Sequence, residues 1–381
     1  MCKYLKVMPV LFSILLMACP TTPISCPSYP WQMVYKESLN SRYGLWINSL
    51  NDEVYVANVD YKYIGPQYYD KMFSIELLDY DGRRWNKIAS ATFTTTSPSD
   101  ASLSREIWGS GPADVYVGMI NSSTPIIFHY DGTNWQVVPI NVPSSSIPPG
   151  VYLTAGSYTT SIWGSNRDDV YVLNTLYPFI PSSTTSVLLH YDGVGWSVST
   201  IYHNNSLSGT ALTHTYEITT DTVYLYDNSG LFYFTGTGTL IQDPSFQSVS
   251  AIWGTVQDGL YVYGTDSNGV SALFHSTTTG WVQLGNPPLS GDFKAYDLWG
   301  SSSGDIYLYG QIGTSNTAWT SLFHFDGFTW TTIMDQAPGA FPGSFAITKI
   351  QSGDVYGAGY MECYQGNRDS LYDYLVVLKK K

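Results

Sequence analysis

Short runs of alternating apolar and polar residues follow one another along the chain, each broken by a turn signal, and the same run keeps returning. Residues 107–117 read IWGSGPADVYV, 162–172 read IWGSNRDDVYV, 252–262 read IWGTVQDGLYV and 298–308 read LWGSSSGDIYL. Fainter copies are LWINSLNDEVYV at 45–56, TYEITTDTVYL at 215–225 and TKIQSGDVYG at 348–357. Alternation of period two predicts strands rather than helices. The seven tyrosines of these units, Tyr55, Tyr116, Tyr171, Tyr224, Tyr261, Tyr307 and Tyr356, stand 37 to 61 residues apart. That spacing surrounds the period of propeller blades, about 40–50 residues.

A second motif trails the first: LLDYDGRRW (77–85), IFHYDGTNW (127–135), LLHYDGVGW (188–196), LFHSTTTGW (273–281) and LFHFDGFTW (322–330). Asp-Gly between two apolar runs predicts a hairpin with a type I′ turn. Each unit then reads as four strands. Strand A ends in Ile-Trp-Gly, B carries Asp-Val-Tyr-Val, C carries Leu-Phe-His-Tyr, and D opens at the second Trp. Seven four-stranded antiparallel units predict an all-β, seven-bladed β-propeller. The fourth unit is degenerate, with Tyr216 for Trp and a short Asp227-Asn228-Ser229-Gly230 turn, yet keeps the rhythm. The seventh has no D strand. Trp31-Gln32-Met33-Val34 resembles the D opening Trp135-Gln136-Val137-Val138, so an N-terminal strand is expected to complete the last blade and close the ring. Closure removes sheet edges that invite aggregation.

Composition sharpens this. Charged residues are 12% of the chain, about half the usual share, and 32 Tyr and 12 Trp beside 34 Gly and 20 Pro favour strands and turns. A net charge of −13 would repel a phosphate backbone, which argues against nucleic acid as a partner. Lys379, Lys380 and Lys381 read as a solvated tail.

The first residues read as an address. Lys3 and Lys6 precede an apolar run from Val7 to Met17, which as a helix of about 16 Å falls short of a bilayer core of about 30 Å and fits a signal peptide. Leu16-Met17-Ala18-Cys19 resembles the bacterial lipobox. By that resemblance residues 1–18 are removed, Cys19 carries the lipid, residues 19–28 form a tether and 29–381 form one propeller domain. The protein would be exported and would meet a membrane only through its anchor. Pro20, where an Asp would resemble an inner-membrane retention signal, points to the outer membrane. Cys26 and Cys363 remain as an even pair that favours a disulfide in an oxidising compartment. Cys26 precedes a D strand on one face and Cys363 follows a B strand on the other, so the pairing stays open.

The repeats resemble a family of bacterial exported propellers carrying IWGS…DVY…HYDG…W in each blade, and more distantly the kelch and WD40 propellers. The resemblance covers nearly all of residues 29–378 and implies a fold, not a function. In such a ring the A–B and C–D connections share one face, and here they are short. The B–C and D–A connections vary and lengthen, with Tyr61, Tyr63, Tyr68 and Tyr69 in blade one and Tyr177 in blade three. These five tyrosines are the candidate ligand contacts, because long loops on a rigid scaffold carry binding. The anchor is expected on the C–D side, leaving the long-loop face turned away from the membrane.

Motifs that look chemical read as structural. His129, His190, His275 and His324 recur once per blade and are expected to make hydrogen bonds rather than hold a metal. Trp46, Trp108, Trp163, Trp253 and Trp299 are expected between blades. Asp114, Asp169, Asp305 and Asp354 are expected to cap turns. Asp266-Ser267-Asn268-Gly269 reads as a hairpin turn before a calcium loop. The Asp-Gly…Trp hairpins faintly resemble the Asp-box of sialidases. The six arginines, Arg42, Arg83, Arg84, Arg105, Arg167 and Arg368, fall mostly in turns of the other face, which argues against that activity. No phosphate loop, HExxH, CxxC or GxSxG motif is present, and no cofactor or metal is called for. The leading expectation is a monomeric envelope lipoprotein that binds a protein or glycan partner as a non-enzymatic scaffold. The alternatives are a lectin-like propeller and a glycoside-active enzyme.

Overall fold

A computed structural model describes residues 24–25, 32–39, 44–50, 53–64, 71–95, 103–121, 124–139, 158–176, 184–204, 214–219, 222–235, 240–255, 257–288, 293–313, 319–335, 340–349, 353–365 and 370–380. Each repeat folds into an antiparallel sheet in the order A-B-C-D, giving seven sheets. The A strands are Gly44–Leu50, Leu103–Gly111, Tyr158–Asn166, His214–Thr219, Phe246–Thr255, Phe293–Ser302 and Ala340–Lys349. Each packs against the A strand of the next blade, and Ala340–Lys349 returns to Gly44–Leu50. The A strands therefore surround the axis and the D strands form the rim. This is the seven-bladed propeller expected, with the degenerate fourth blade intact (Thr222–Asp227, Gly230–Thr235 and Ile241–Asp243 complete it).

Strand Gln32–Leu39 pairs with Ser370–Lys379, from Gln32 opposite Lys379 to Leu39 opposite Asp373. The N-terminal strand thus supplies D of blade seven. Ahead of it, Ile24 and Ser25 pair with Gln365 and Tyr364, at the long-loop end of strand B. This corrects the expected side of approach, because the segment before strand D does not stay on the C–D face. Cys19 and Cys26 lie outside the described residues. Ser25 faces Tyr364, the chain neighbour of Cys363, so strand position no longer sets the two cysteine segments on opposite faces.

The repeat tryptophans hold neighbouring blades together. Trp108, Trp163, Trp253 and Trp299 face Tyr116, Tyr171, Tyr261 and Tyr307 within their own sheets. In blade one the residue in that register is Asn48, opposite Tyr55, and Trp46 sits opposite Ala57. Trp46 is therefore not the counterpart of the others, although it packs in the same way. A methyl group on the Gly of the following blade would strike these rings: 3.1 Å from Trp46 at Gly109, 2.7 Å from Trp108 at Gly164 and 2.7 Å from Trp253 at Gly300. Glycine is needed there because an indole and the facing strand leave no room. At the closing seam both partners change, and Thr348 Oγ1 donates to Ser49 Oγ at 3.2 Å instead. Tyr360 adds a buried hydrogen bond to Asn58 Oδ1 at 3.0 Å across the same seam.

Two local expectations are corrected. The Asp-Gly hairpins are four-residue loops rather than two-residue type I′ turns: Tyr80 faces Trp85, Tyr130 faces Trp135 and Tyr191 faces Trp196. The Asp side chain builds the loop, as Asp81 Oδ1 accepts the N–H groups of Arg83 and Arg84 at 2.9 Å, and the following Gly82 takes φ 84°. The lysine tail is also engaged. Lys379 pairs with Asp354 at 2.5 Å, and Lys380 Nζ donates to Tyr307 Oη of blade six at 2.9 Å.

Gly164→Ala should loosen the seam of blades two and three, since its methyl would lie 2.4 Å from the Asp169 carbonyl oxygen as well as against Trp108. Overpacking of this kind costs about 2 kcal/mol, a fall of roughly 2–3 °C in a chain of this size. Differential scanning calorimetry beside Gly195→Ala, whose methyl meets nothing within 4 Å, checks it; the control should melt with the parent.

Candidate functional site

The recurring Asp, His and Ser of the repeat join into one latch. In blade two Ser110 Oγ donates to Asp114 Oδ2 at 2.5 Å and His129 Nε2 meets Asp114 Oδ1 at 2.6 Å. Blade three repeats this with Ser165, Asp169 and His190 at 2.5 and 2.6 Å, and blade six with Ser301, Asp305 and His324. Blade five shifts it, His275 Nε2 meeting the Asp258 carbonyl oxygen at 2.6 Å. Each imidazole lies flat on the repeat tyrosine, with His129 and Tyr116 ring centres 4.1 Å apart. In blade seven Lys379 replaces the histidine, opposite Tyr356. The expected hydrogen-bonding role of the histidines holds. Asp114, Asp169 and Asp305 do more than cap turns, because each bridges strands A, B and C. Ser and His end on different oxygens of one Asp, so the hydroxyl is not aimed at a base and no activated nucleophile results.

The turn carboxylates are equally committed. Backbone N–H groups hold Asp81, Asp131, Asp192 and Asp326 below the usual carboxylate range. Asp266 Oδ1 accepts the N–H groups of Asn268 and Val270 at 2.9 and 2.8 Å, which makes its loop the hairpin turn expected. Among the described residues no group of three His, Cys, Asp or Glu side chains could hold a metal ion.

What remains uncommitted lies at the inner edge of blade six. Strand Phe293–Ser302 runs from the long-loop end toward the A–B turn. Ala295 faces Gly310 and Asp297 faces Tyr309, leaving Tyr296 as a bulge, a device that re-aims side chains. Tyr296 packs partly against the blade-seven seam and donates its hydroxyl to Gln311 Oε1. Lys294 Nζ stands 5.7 Å from the Tyr296 ring centre. Asp297 is exposed on the strand that lines the axis, although the protein around it encloses its carboxyl. That enclosure pushes it up to about 7, against the N–H of Leu298, which lowers it. Lys294, Tyr296 and Gln311 thus meet near the long-loop end of blade six, with Asp297 next to Tyr296 along the axial strand. Asp297 is the one carboxyl among these four residues, where paired acid–base catalysis on a glycoside needs two.

Of the sequence-predicted tyrosines only Tyr61 has a described side chain. Tyr61 is half-buried, its ring 5.7 Å from Phe73, which stacks on Phe93, and Phe93 stacks on Phe128 of the next blade. It extends an aromatic column. Tyr63 ends strand B of blade one with its side chain outside the description, and Tyr68, Tyr69 and Tyr177 lie outside the described residues. Asp297 and Tyr296 were missed. The signal was a departure from the repeat: Tyr-Asp precedes Leu-Trp-Gly where blade five has Ser250-Ala251 and blade three Thr160-Ser161.

The ring is similar to solved propeller structures at low identity. A mutant Trypanosoma rangeli sialidase displaying trans-sialidase activity matches with a TM-score of 0.51 and 10% identity, over 95% of this chain and 60% of that one. A Trypanosoma rangeli sialidase in complex with a difluoro-KDN matches at 0.48 and 10%, over 89% and 54%. A polysaccharide lyase matches at 0.45 and 11%, over 96% and 98%. The chain spans little more than half the length of these sialidases. These likenesses show the fold alone. No family model matches the sequence, and no curated protein matches it.

The raised Asp297 carboxyl predicts a pH effect of definite sign. The folded chain holds this proton up to about 7 and the unfolded chain only to 3.8, so stability from this group falls as pH rises through that window. Asp297→Asn should melt above the parent at pH 8 and with it at pH 4. Melting curves of both proteins at the two values check this; an equal or lower melting point at pH 8 contradicts it.

Proposed function

We propose that the chain is a non-enzymatic, carbohydrate-binding propeller of the cell envelope, exported and anchored through Cys19, with its sugar site at the long-loop mouth of the channel. The observation that carries this reading is the meeting of Tyr296, Gln311 and Lys294 at the inner edge of blade six, with Asp297 exposed on the same strand. An aromatic face stacks on a pyranose ring, while amide, ammonium and carboxyl groups exchange hydrogen bonds with hydroxyls. A lone carboxyl suits recognition better than hydrolysis. The saccharide-directed names of the sialidases and the lyase agree with this reading and carry no weight of their own. A scaffold for a protein partner, the leading expectation from sequence, would be expected to present a broad apolar patch; among the described residues the most exposed apolar side chains, Val194 and Phe328, stand on separate turns.

A glycan array probed with the purified full chain tests it. Binding to a defined set of glycans is expected, with Tyr296→Ala weakening the best hit at least about tenfold, one stacked ring's worth of contact, without changing the melting point by more than a few degrees. An array without hits overturns the reading.

A further inference from the structure

The outer seams carry a second repeated feature. Trp85, Trp135, Trp196 and Trp330, which open the D strands of blades one, two, three and six, have buried indole N–H groups without a hydrogen-bond partner. Trp281 of blade five differs: its Nε1–H donates to Asp243 Oδ2, on strand D of the preceding blade, at 3.0 Å. Register identifies the counterpart of that aspartate elsewhere. Asp243 faces Leu231, two residues from Tyr233, which faces Tyr224. In blade two Val138 faces Ile127, two residues from His129, which faces Tyr116. Val138 therefore occupies the place of Asp243, as Trp196 occupies that of Trp281.

Valine accepts no hydrogen bond, and the space in front of it is not filled. Val138 and Trp196 line a recess of about 60 Å³ between blades two and three, together with the Tyr191 ring and, from the blade-three A–B turn, Arg167 and Asp168. That is more room than one water needs. Trp196 is 8% exposed, so its donor is buried beside the recess. Arg167 adds a cation whose described partner is the exposed Asp168, 3.8 Å away.

We propose that this recess binds the carboxylate group of a small molecule, which takes beside Trp196 the place that Asp243 takes beside Trp281. The Arg167 guanidinium is its open donor, and the indole N–H, itself closed to solvent, becomes the second as the Val138 side chain turns aside; charge-assisted bonds to a carboxylate are the strong ones. The ligand competes with Asp168 for the guanidinium. The net charge of −13 opposes an anion at long range, so recognition rests on the local donors. The site lies on the A–B/C–D face, away from the sugar mouth, and does not depend on the carbohydrate reading.

The full chain labelled with ¹⁵N-tryptophan, titrated with acetate at constant ionic strength, tests the assignment. The Trp196 indole signal, assigned by its loss in Trp196→Phe, is expected to shift saturably in the millimolar range, while those of Trp85, Trp135 and Trp330 stay still. Arg167→Gln should weaken the response several-fold with the fold intact. Val138→Asp, which builds the blade-four carboxylate into this seam, should move the Trp196 signal before any acetate is added and abolish the titration. Glucuronate saturating at lower concentration than acetate would identify a sugar-borne acid, and equal saturation a simple one; both support the site. A linear, unsaturable shift, the same shift with chloride, or an Arg167→Gln variant that binds as well as the parent overturns it.

Discussion

Seven twisted sheets can enclose an axis only if the last finds the first, and here the chain ends meet in a single sheet. Gln32–Leu39 lies beside Ser370–Lys379 as the fourth strand of blade seven. Every other seam is a side-by-side contact between neighbours along the chain, whereas this one closes a loop of more than three hundred residues. The closing seam has also lost the Trp-on-Gly contact of the regular seams. A hydroxyl pair, Thr348 and Ser49, and the buried Tyr360–Asn58 bond stand in for it. Backbone pairing therefore carries the closure where side-chain packing is least regular.

Much of this was legible in the sequence because a repeat states its constraints several times over. Glycine after Trp108, Trp163 and Trp299 reports an indole from the preceding blade, and the His of strand C reports an Asp at the mouth of strand B. The degenerate blade was readable because Tyr224 and its alternation survive without Trp or His. What stayed hidden depends on register and side-chain choice. Trp46 looks like the repeat tryptophan, but blade one lacks the bulge that precedes the A–B turn in blades two, three and six, and Asn48 falls in that place. Asp-Gly announces a hairpin, while the length of its loop depends on the Asp carboxylate capturing two backbone N–H groups. Lys379 looks like a loose tail until strand pairing sets it opposite Tyr356, in the histidine's position.

The candidate site was the least legible part, and for a physical reason. Residues that recur once per blade are absorbed by the frame: Trp by the next blade's Gly, His and Ser by Asp, Tyr by the imidazole above it. Specific recognition has to come from positions that break the repeat. Tyr296 and Asp297 do so through a bulge on the axial strand, and Val138 does so by withholding the acceptor that Asp243 gives its own neighbour. Aromatic content alone pointed instead to the loop tyrosines, of which Tyr61 turns out to extend a packed column.

The most direct test of the central claim, that an N-terminal strand closes the ring, is hydrogen exchange read by mass spectrometry on the full chain and on a chain beginning after residue 39. The account predicts slow exchange along Ser370–Lys379 in the full chain. In the shortened chain that protection should be lost, together with protection in Gly44–Leu50 across the open seam, while blades three to five stay protected. Unchanged protection of Ser370–Lys379 without Gln32–Leu39 would contradict it.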